Sequence, residues 1–292
     1  MSESSSTTSL LAIPAIILLM GGLAWAGSQG SVLIGSIPLF GFCVGLALVV
    51  QWIAFVPAFA ARTERYYDLT GSLTYLTVTT IAVGLGPGPD LRASLLAALV
   101  GVWAARLGTF LFRRIRADGK DRRFDAVKTS FSRFLLAWTL QGMWISFTAG
   151  AALAAMTSTR SVPMETLGWI GLFVWIVGFG IEVVSDQQKS RFRADPANDG
   201  RFITTGLWAW SRHPNYFGEI VLWVGVALIA APALQGWQYA TLLSPVFVTV
   251  LLTMGSGIPL LEERADRTWG GQVDYEEYKA STPVLVPRPP RR

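Results

Sequence analysis

Eight long apolar segments constrain the fold of this chain more than any other feature. They cover about residues 10–28, 33–60, 69–86, 91–112, 131–156, 166–185, 216–234 and 240–261. A bilayer core requires about 20 apolar residues per spanning helix, and a helix satisfies its own backbone hydrogen bonds in lipid. The sequence therefore predicts an all-α, polytopic membrane bundle of about seven or eight transmembrane helices.

Two scarce residue types exclude several kinds of site. The 292 residues include one cysteine, Cys43, and one histidine, His213. An intramolecular disulfide needs two cysteines, and the iron sites of membrane desaturases and hydroxylases need many histidines. Zinc and haem sites also depend on imidazole or thiolate ligands. We therefore expect no metal centre, and chemistry that uses an organic cofactor or none.

Positive charge is concentrated in the connections on one side of the predicted bundle. Of the 24 Lys and Arg residues, only Arg92 and Arg160 fall on or beside the other side. Because cytoplasmic loops carry an excess of Lys and Arg, the sequence predicts that the basic side and the C-terminus are cytoplasmic.

The two ends of the chain are expected to be disordered, at residues 1–9 and 288–292. The first is rich in Ser and Thr, and the second is basic. Ala24-Trp25-Ala26 resembles a signal-peptidase site, but residues 1–9 contain no Lys or Arg. A secretory signal normally begins with positive charge, so we expect the first helix to be retained.

Charged residues inside the predicted spans are candidates for function, because each costs roughly 2.5–3.5 kcal/mol at the bilayer centre. In the fourth span, Arg106 and Arg113 share one helix face. Arg113 can reach the headgroups along its aliphatic stem. Arg106 lies nearly two turns deeper, so a functional role and a purely structural one are both open.

A mixed stripe of charge leaves the sixth span. Glu182, Asp186, Lys189 and Arg193 are spaced at i, i+4, i+7 and i+11. A solvated helix face with weak ion pairs is one interpretation. Glu182 and Asp186 lie where the chain is still apolar, so a ligand-facing stripe is the other.

The densest polar segment precedes the seventh span. Pro214 suits the first turn of a helix, and the free N–H groups of such a turn favour an anion. Arg212 and His213 come just before it, and Asn215 and Glu219 lie one turn apart on the same face. A capped helix entry is the structural alternative, but it does not explain Glu219 among apolar residues. We predict a binding site here.

The C-terminal tail continues the eighth span as a charged helix that should end at Gly270-Gly271. A short segment with Tyr275 and Tyr278 follows, and then the apolar residues 284–286 between two prolines. These residues could fold back on the bundle or belong to a generic amphipathic tail.

Several of these segments resemble the steroid 5-alpha-reductase family, in particular its bacterial branch. The strongest likeness is Gly206-Leu207-Trp208 followed by Ser211-Arg212-His213-Pro214-Asn215-Tyr216-Phe217-Gly218-Glu219. Further matches are the segments 67–72, 185–189 and 266–270, and the resemblance covers roughly residues 60–287. Isoprenylcysteine carboxyl methyltransferases and related lipid methyltransferases share the Arg-His-Pro-x-Tyr pattern.

The apolar spans predict N-terminal transmembrane helices over 10–60. The resemblance implies a reductase-like membrane domain over 61–287 that holds NADPH in a cavity open to the cytoplasm. It implies reduction of a C=C bond in a hydrophobic lipid, sterol-like or isoprenoid substrate that enters from the bilayer. The cofactor-binding residues carried over or expected nearby are Arg106, Asp186, Lys189, Arg193, Arg212, His213, Asn215, Tyr216, Glu219, Arg267, Tyr275 and Tyr278.

The chain departs from the family at one catalytic position. The tyrosine that polarises the substrate carbonyl in the reductases is replaced by Trp103, which puts steroid enone reduction in doubt. Tyr75, Glu64 and Asp68 are our candidate substitutes.

The phosphates of NADPH suit the dense cations of the cytoplasmic side. A methyltransferase that uses S-adenosylmethionine and a non-catalytic lipid-binding protein are the alternatives. We expect a bacterial inner-membrane protein that contacts membrane lipids and no nucleic acid.

Overall fold

The structure is a computed structural model that describes residues 2–88, 90–119, 121, 124–255 and 257–290. It is 76% helical with almost no sheet. The helices are α1 (Ser2–Gly27), α2 (Leu39–Ala60), α3 (Tyr67–Gly84), α4 (Leu91–Asp118), α5 (Phe131–Thr148), α6 (Gly150–Thr157), α7 (Thr166–Ala194), α8 (Pro214–Ala230), α9 (Ser244–Met254), α10 (Ile258–Trp269) and α11 (Val273–Ser281). Strands β1 (Leu33–Ile34) and β2 (Ile37–Pro38) form one antiparallel hairpin.

The predicted all-α membrane bundle is confirmed, with six helical segments in the described part of the chain that are long and apolar enough to cross a membrane. They are Thr8–Gly27, Leu39–Ala60, Leu91–Arg116, Thr166–Ala194, Pro214–Ala233 and Gly236–Trp269. The predicted spans 69–86 and 131–156 are also helical, but they are too polar to count as membrane-spanning helices by composition. Five threonines lie on α3, and α5 carries Arg133 and Gln141. The count is therefore lower than the seven or eight that we predicted.

Two local differences from the sequence prediction have simple causes. Residues 33–38 form the β-hairpin before α2 begins, since Gly35 adopts a positive φ of 61° that closes its turn. At the N-terminus α1 extends back to Ser2, into the predicted disordered tail. Extending an existing helix adds one hydrogen bond per residue without a new nucleus. Met1 and residues 291–292, which belong to the two predicted tails, lie outside the described residues.

The chain forms two compact units, of which the first comprises residues 1–168 and 229–244. Polar side chains connect its helices inside the apolar core. Gln51 of α2 donates to the Thr74 hydroxyl of α3 at 2.8 Å, and Trp52 donates to Thr139 of α5 at 3.1 Å. The predicted boundary between residues 60 and 61 therefore lies inside this unit.

The second unit comprises residues 169–228 and 245–292, and glycines bring two of its helices into close contact. A Cβ atom on Gly178 of α7 would lie 2.7 Å from the Gly218 carbonyl of α8. One on Gly225 would lie 2.6 Å from the Trp175 amide nitrogen. Small residues permit such close packing of helices in membranes. The backbone of α8 near Gly218 thus lies against α7 at Glu182.

The end of the chain folds back within the second unit. The Arg212 N–H donates to the Pro283 carbonyl, and the Arg288 N–H donates to the Trp210 carbonyl, both at 2.9 Å. The Ser211 hydroxyl donates to the Leu285 carbonyl at 2.8 Å. The apolar residues 284–286 therefore pack back onto the segment before α8, as the fold-back alternative predicted.

Candidate functional site

The segment that precedes α8 is held against α7 by two hydrogen bonds. Gly206 has a positive φ of 63°, which turns the chain so that the Leu207 N–H reaches the side chain of Gln188 at 2.9 Å. The indole N–H of Trp208 donates to the Ser185 carbonyl at 3.0 Å. These two hydrogen bonds therefore fix the position of the chain at the start of the polar segment that follows.

Glu262 of α10 contacts the side chains of both Arg212 and His213, which precede α8. Its Oε2 lies 3.2 Å from Arg212 Nη2, and its Oε1 lies 2.7 Å from His213 Nε2. His213 is buried, and its ring stacks on Tyr216 with centroids 5.7 Å apart. Burial lowers the pKa of His213 below its ordinary value, with help from the charges of Lys189 and Arg212 and against the hydrogen bond to Glu262.

A second polar pair joins α7 to α8. Asn215 Nδ2 donates to Asp186 Oδ1 at 3.2 Å. Asp186, Glu182 and Glu219 are all buried. Three buried carboxylates therefore lie on these two helices. Glu182 and Asp186 belong to the charged stripe of the sixth span, and Glu219 belongs to the predicted binding segment of the seventh.

The Lys189 ammonium lies 4.2 Å from the ring centroid of Trp208. This cation–π contact holds a positive charge beside the fixed segment. Tyr216, which is half-buried, completes the set of side chains around His213.

Three buried polar atoms at the start of α8 have no hydrogen-bond partner among the described residues. They are Arg212 Nε, His213 Nδ1 and Asn215 Oδ1. Buried polar atoms are nearly always satisfied, by protein, by ordered water or by a bound ligand. The set contains a charged donor and two potential acceptors, which is suited to a polar ligand with both kinds of group.

The two tail tyrosines already use their hydroxyls within the protein. Tyr278 donates to the Trp208 carbonyl at 2.7 Å, and Tyr275 donates to Asp266 at 2.8 Å. Burial raises the pKa of both hydroxyls above the ordinary value. Both rings pack against Phe202. In this arrangement the two tyrosines stabilise the segment that precedes α8.

Two of the predicted cations lie on exposed surface. Arg267 pairs with Glu263 one turn earlier on α10, and its side chain is 73% exposed. Arg193 is exposed in the last turn of α7. The structure therefore does not bring Arg267 to the side chains of Arg212 and His213.

Four predicted site residues belong to the first unit, and the other eleven belong to the second. Glu64 is buried, and its two oxygens bind Lys128 Nζ at 2.7 Å and the Asp121 N–H at 2.9 Å. This carboxylate connects two loops of the first unit. Asp68 lies in the first turn of α3, where an acidic side chain favours the helix dipole.

The remaining two lie on neighbouring helices. Tyr75 is buried on α3 and meets Trp103 of α4 edge to face, with centroids 5.2 Å apart. The Arg106 guanidinium lies 5.4 Å from the centroid of the Phe110 ring on α4.

Glu262 is the site residue that sequence reasoning missed. It is a carboxylate at the end of the eighth apolar segment, in a run of charges that looked like a solvated face. Its position directly after Leu260-Leu261 is the same signal that singled out Glu182 and Glu219, and it could have found this residue.

A family model described as "Protein of unknown function (DUF1295)" matches residues 54–282. The chain belongs to this family. The uncharacterized protein C594.04c of Schizosaccharomyces pombe is 26% identical over 176 residues, which is 50% of this chain and 51% of the relative. The chain thus spans about half the length of that relative.

Two named enzymes match over shorter stretches. The 3-oxo-5-alpha-steroid 4-dehydrogenase 1 of Bos taurus is 34% identical over 70 residues, 24% of this chain and 27% of the enzyme. The probable O-methyltransferase ustE of Ustilaginoidea virens is 30% identical over 93 residues, 32% of each chain. No solved structure matches. The DUF1295 chain is therefore homologous to steroid 5-alpha-reductase-like oxidoreductases and to a methyltransferase-like protein.

Proposed function

We propose that this protein is a membrane-embedded reductase that uses NADPH to reduce a C=C bond in a lipid, sterol-like or isoprenoid substrate. Homology to the 3-oxo-5-alpha-steroid 4-dehydrogenases supports an oxidoreductase. The observation that carries the proposal is the group of buried polar atoms on Arg212, His213 and Asn215 that lack a partner among the described residues, beside the contacts of Glu262 with Arg212 and His213.

The side chains of the second unit fit the chemistry of NADPH. The cofactor presents several negative charges, including a 2′-phosphate of about −1.5 to −2, together with ribose hydroxyls and amide groups. Arg212, Lys189 and Arg193 would bind phosphate oxygens. Asn215 and the buried carboxylates of Asp186 and Glu219 would accept or share hydrogen bonds of the riboses. When bound, NADPH would supply the hydride.

The protein's own contribution would be binding, orientation and a proton. Tyr75 and Asp68 remain our proposed catalytic side chains, with Tyr75 Oη as the atom that polarises or protonates the substrate. Glu64 is the weakest of the three candidates, because Lys128 and the Asp121 N–H already use its two oxygens.

The proposed setting is a bacterial inner membrane, with the cofactor cavity and the C-terminus on the cytoplasmic side. The concentration of Lys and Arg in the connections of one side supports this orientation. A hydrophobic substrate would enter from the bilayer, between helices that are apolar on their outer surface.

A methyltransferase that uses S-adenosylmethionine is the second candidate. The likeness to the probable O-methyltransferase ustE favours it, and so does the Arg-His-Pro-x-Tyr pattern at 212–216. S-Adenosylmethionine has a ribose and a carboxylate but no phosphate. It would therefore offer fewer negatively charged groups to the Lys and Arg side chains of the site.

The first prediction separates these candidates by ligand-induced stability. NADPH should raise the melting temperature of detergent-purified protein more than NADH or S-adenosylmethionine, because a ligand that binds only the folded state stabilises it by mass action. The replacement Asn215→Ala should weaken NADPH binding about tenfold, the loss expected for one buried hydrogen bond, as measured by titration calorimetry.

The chain provides its own control for that variant. Asn198 is the other of its two asparagines, and its side chain donates to the Phe192 carbonyl at 3.0 Å. Asn198→Ala should leave NADPH affinity unchanged. Stabilisation by S-adenosylmethionine alone would refute the reductase proposal, and a lack of response to any ligand would favour a non-catalytic lipid-binding protein.

A further inference from the structure

Each carboxylate oxygen of Glu262 contacts one of the two residues before Pro214, Arg212 or His213. Arg212 Nη2 lies 3.2 Å from Oε2, and His213 Nε2 lies 2.7 Å from Oε1. The guanidinium favours the ionised carboxylate, and an ionised carboxylate can only accept hydrogen bonds. The short contact therefore requires a hydrogen on His213 Nε2.

The other ring nitrogen, His213 Nδ1, is buried and has no partner in the part of the chain that the structure describes. A doubly protonated ring would place a second N–H and a positive charge in a buried position near Arg212 and Lys189. Burial disfavours this charged form, and so does the repulsion from both cations. The neutral ring avoids this cost. With its one hydrogen on Nε2, the neutral ring presents a bare lone pair at Nδ1.

A second acceptor arises in the same way two residues later. Asn215 Nδ2 faces the Asp186 carboxylate at 3.2 Å. The amide directs its NH₂ toward Asp186 and so leaves Oδ1 for another group. Asn215 Oδ1 is also buried, and none of the described residues binds it.

We propose that Glu262 is a positioning residue that holds His213 in the Nε2–H tautomer, so that Nδ1 accepts a hydrogen bond from an N–H or O–H group of the ligand. Together, His213 Nδ1 and Asn215 Oδ1 select a ligand edge with hydrogen-bond donors, such as a ribose diol or an amino group. That this edge belongs to NADPH rests on the proposed function, whereas the tautomer follows from contacts within the chain.

The Nε2–H tautomer excludes a role for His213 as the proton donor of the reduction. In the Nε2–H tautomer Nδ1 carries no proton, and the Nε2 proton is held by Glu262. His213 is then a recognition residue, and the proton of the reduction must come from another group.

A single histidine makes the tautomer directly measurable. The full-length protein, with a purification tag that contains no histidine, is labelled with ¹⁵N-histidine, and the ring nitrogen shifts are recorded at pH 7.5. We expect one protonated nitrogen, coupled to the Hε1 and Hδ2 protons as Nε2, and one unprotonated Nδ1. A ring protonated on Nδ1, alone or together with Nε2, would overturn the proposal.

Glu262→Gln tests the positioning role, with Glu263→Gln as the matched control one residue away. Glu263 carries the same charge but is exposed and pairs with Arg267. The Glu262 variant should lose the single tautomer and bind NADPH about tenfold more weakly, and the Glu263 variant should change neither property. A wild-type spectrum in Glu262→Gln would refute the positioning role.

The two proposals fail in different ways. If the wild-type ring is the Nε2–H tautomer but S-adenosylmethionine binds in place of NADPH, the assigned acceptor stands and the reductase is refuted. A variant that does not fold leaves the spectrum of the wild-type ring to decide the tautomer.

Discussion

Glu64 is a buried carboxylate in the polar connection before α3. We predicted it as one of three substitutes for the tyrosine that Trp103 replaces. Its side chain pairs with Lys128, 64 residues later, and with the Asp121 backbone. Burial opposes ionisation of Glu64, but these hydrogen bonds outweigh it and hold its pKa below the ordinary value.

This pairing predicts a stability effect that depends on pH. Because the folded-state pKa of Glu64 is below the unfolded value near 4.5, its contribution is complete above that pH and is lost as the pH falls through the folded pKa. Glu64→Gln should lower the stability by about 2 kcal/mol at pH 7. The difference from wild type should shrink below pH 4.5, as measured by melting at several pH values.

The second carboxylate near Lys128 is the control. Asp125 lies 3.5 Å from Lys128, and its side chain is 41% exposed. Asp125→Asn should cost less than about 1 kcal/mol, as exposed ion pairs do. Equal losses for both variants would contradict a special role of the buried pair.

At the level of helices, glycines determine how α7 and α8 carry the site. Gly178 and Gly218 let the two backbones touch, which brings the carboxylates of α7 beside the first turns of α8. A methyl group at Gly178 would collide with backbone atoms of Gly218 and Leu222, which cannot move aside as a flexible side chain would.

Two alanine substitutions on α7 test this packing. Gly178→Ala should destabilise the protein by about 1–3 kcal/mol, the range typical of overpacking, and should weaken NADPH binding. At Gly180 an added Cβ has no described atom within 4 Å apart from the local backbone of its own helix, so Gly180→Ala should be neutral or slightly stabilising through helix propensity. Melting temperatures in one detergent compare the two, and equal behaviour would refute the close contact.

Local signals predicted helix ends well and long-range partners poorly. The start of α8 at Pro214 and the end of α10 before Gly270-Gly271 follow from the conformational rules of those residues. The partnership of Glu262 with His213 spans 49 residues, and no spacing rule encodes it. The hairpin at 33–38 was missed because its apolar residues also fit a membrane span.

For the whole molecule, the uneven charge predicts the orientation of α2, and cysteine labelling can test it. Ser36 and Ala61 are exposed on either side of this helix, and the native Cys43 is fully buried. A membrane-impermeant maleimide added to intact cells should label Ser36→Cys and leave Ala61→Cys unlabelled. The reverse pattern would contradict the cytoplasmic assignment of the basic side, and unmodified protein gives the background.

The contacts between the tail and the segment before α8 form only late in translation. The carbonyl of Leu285 that receives the Ser211 hydroxyl is synthesised 74 residues after it. At roughly 5–20 residues per second, this interval is about 4–15 s. During each round of translation the loop with Arg212 and His213 therefore waits for its last supports, and a nascent chain that stalls before residue 283 never acquires them.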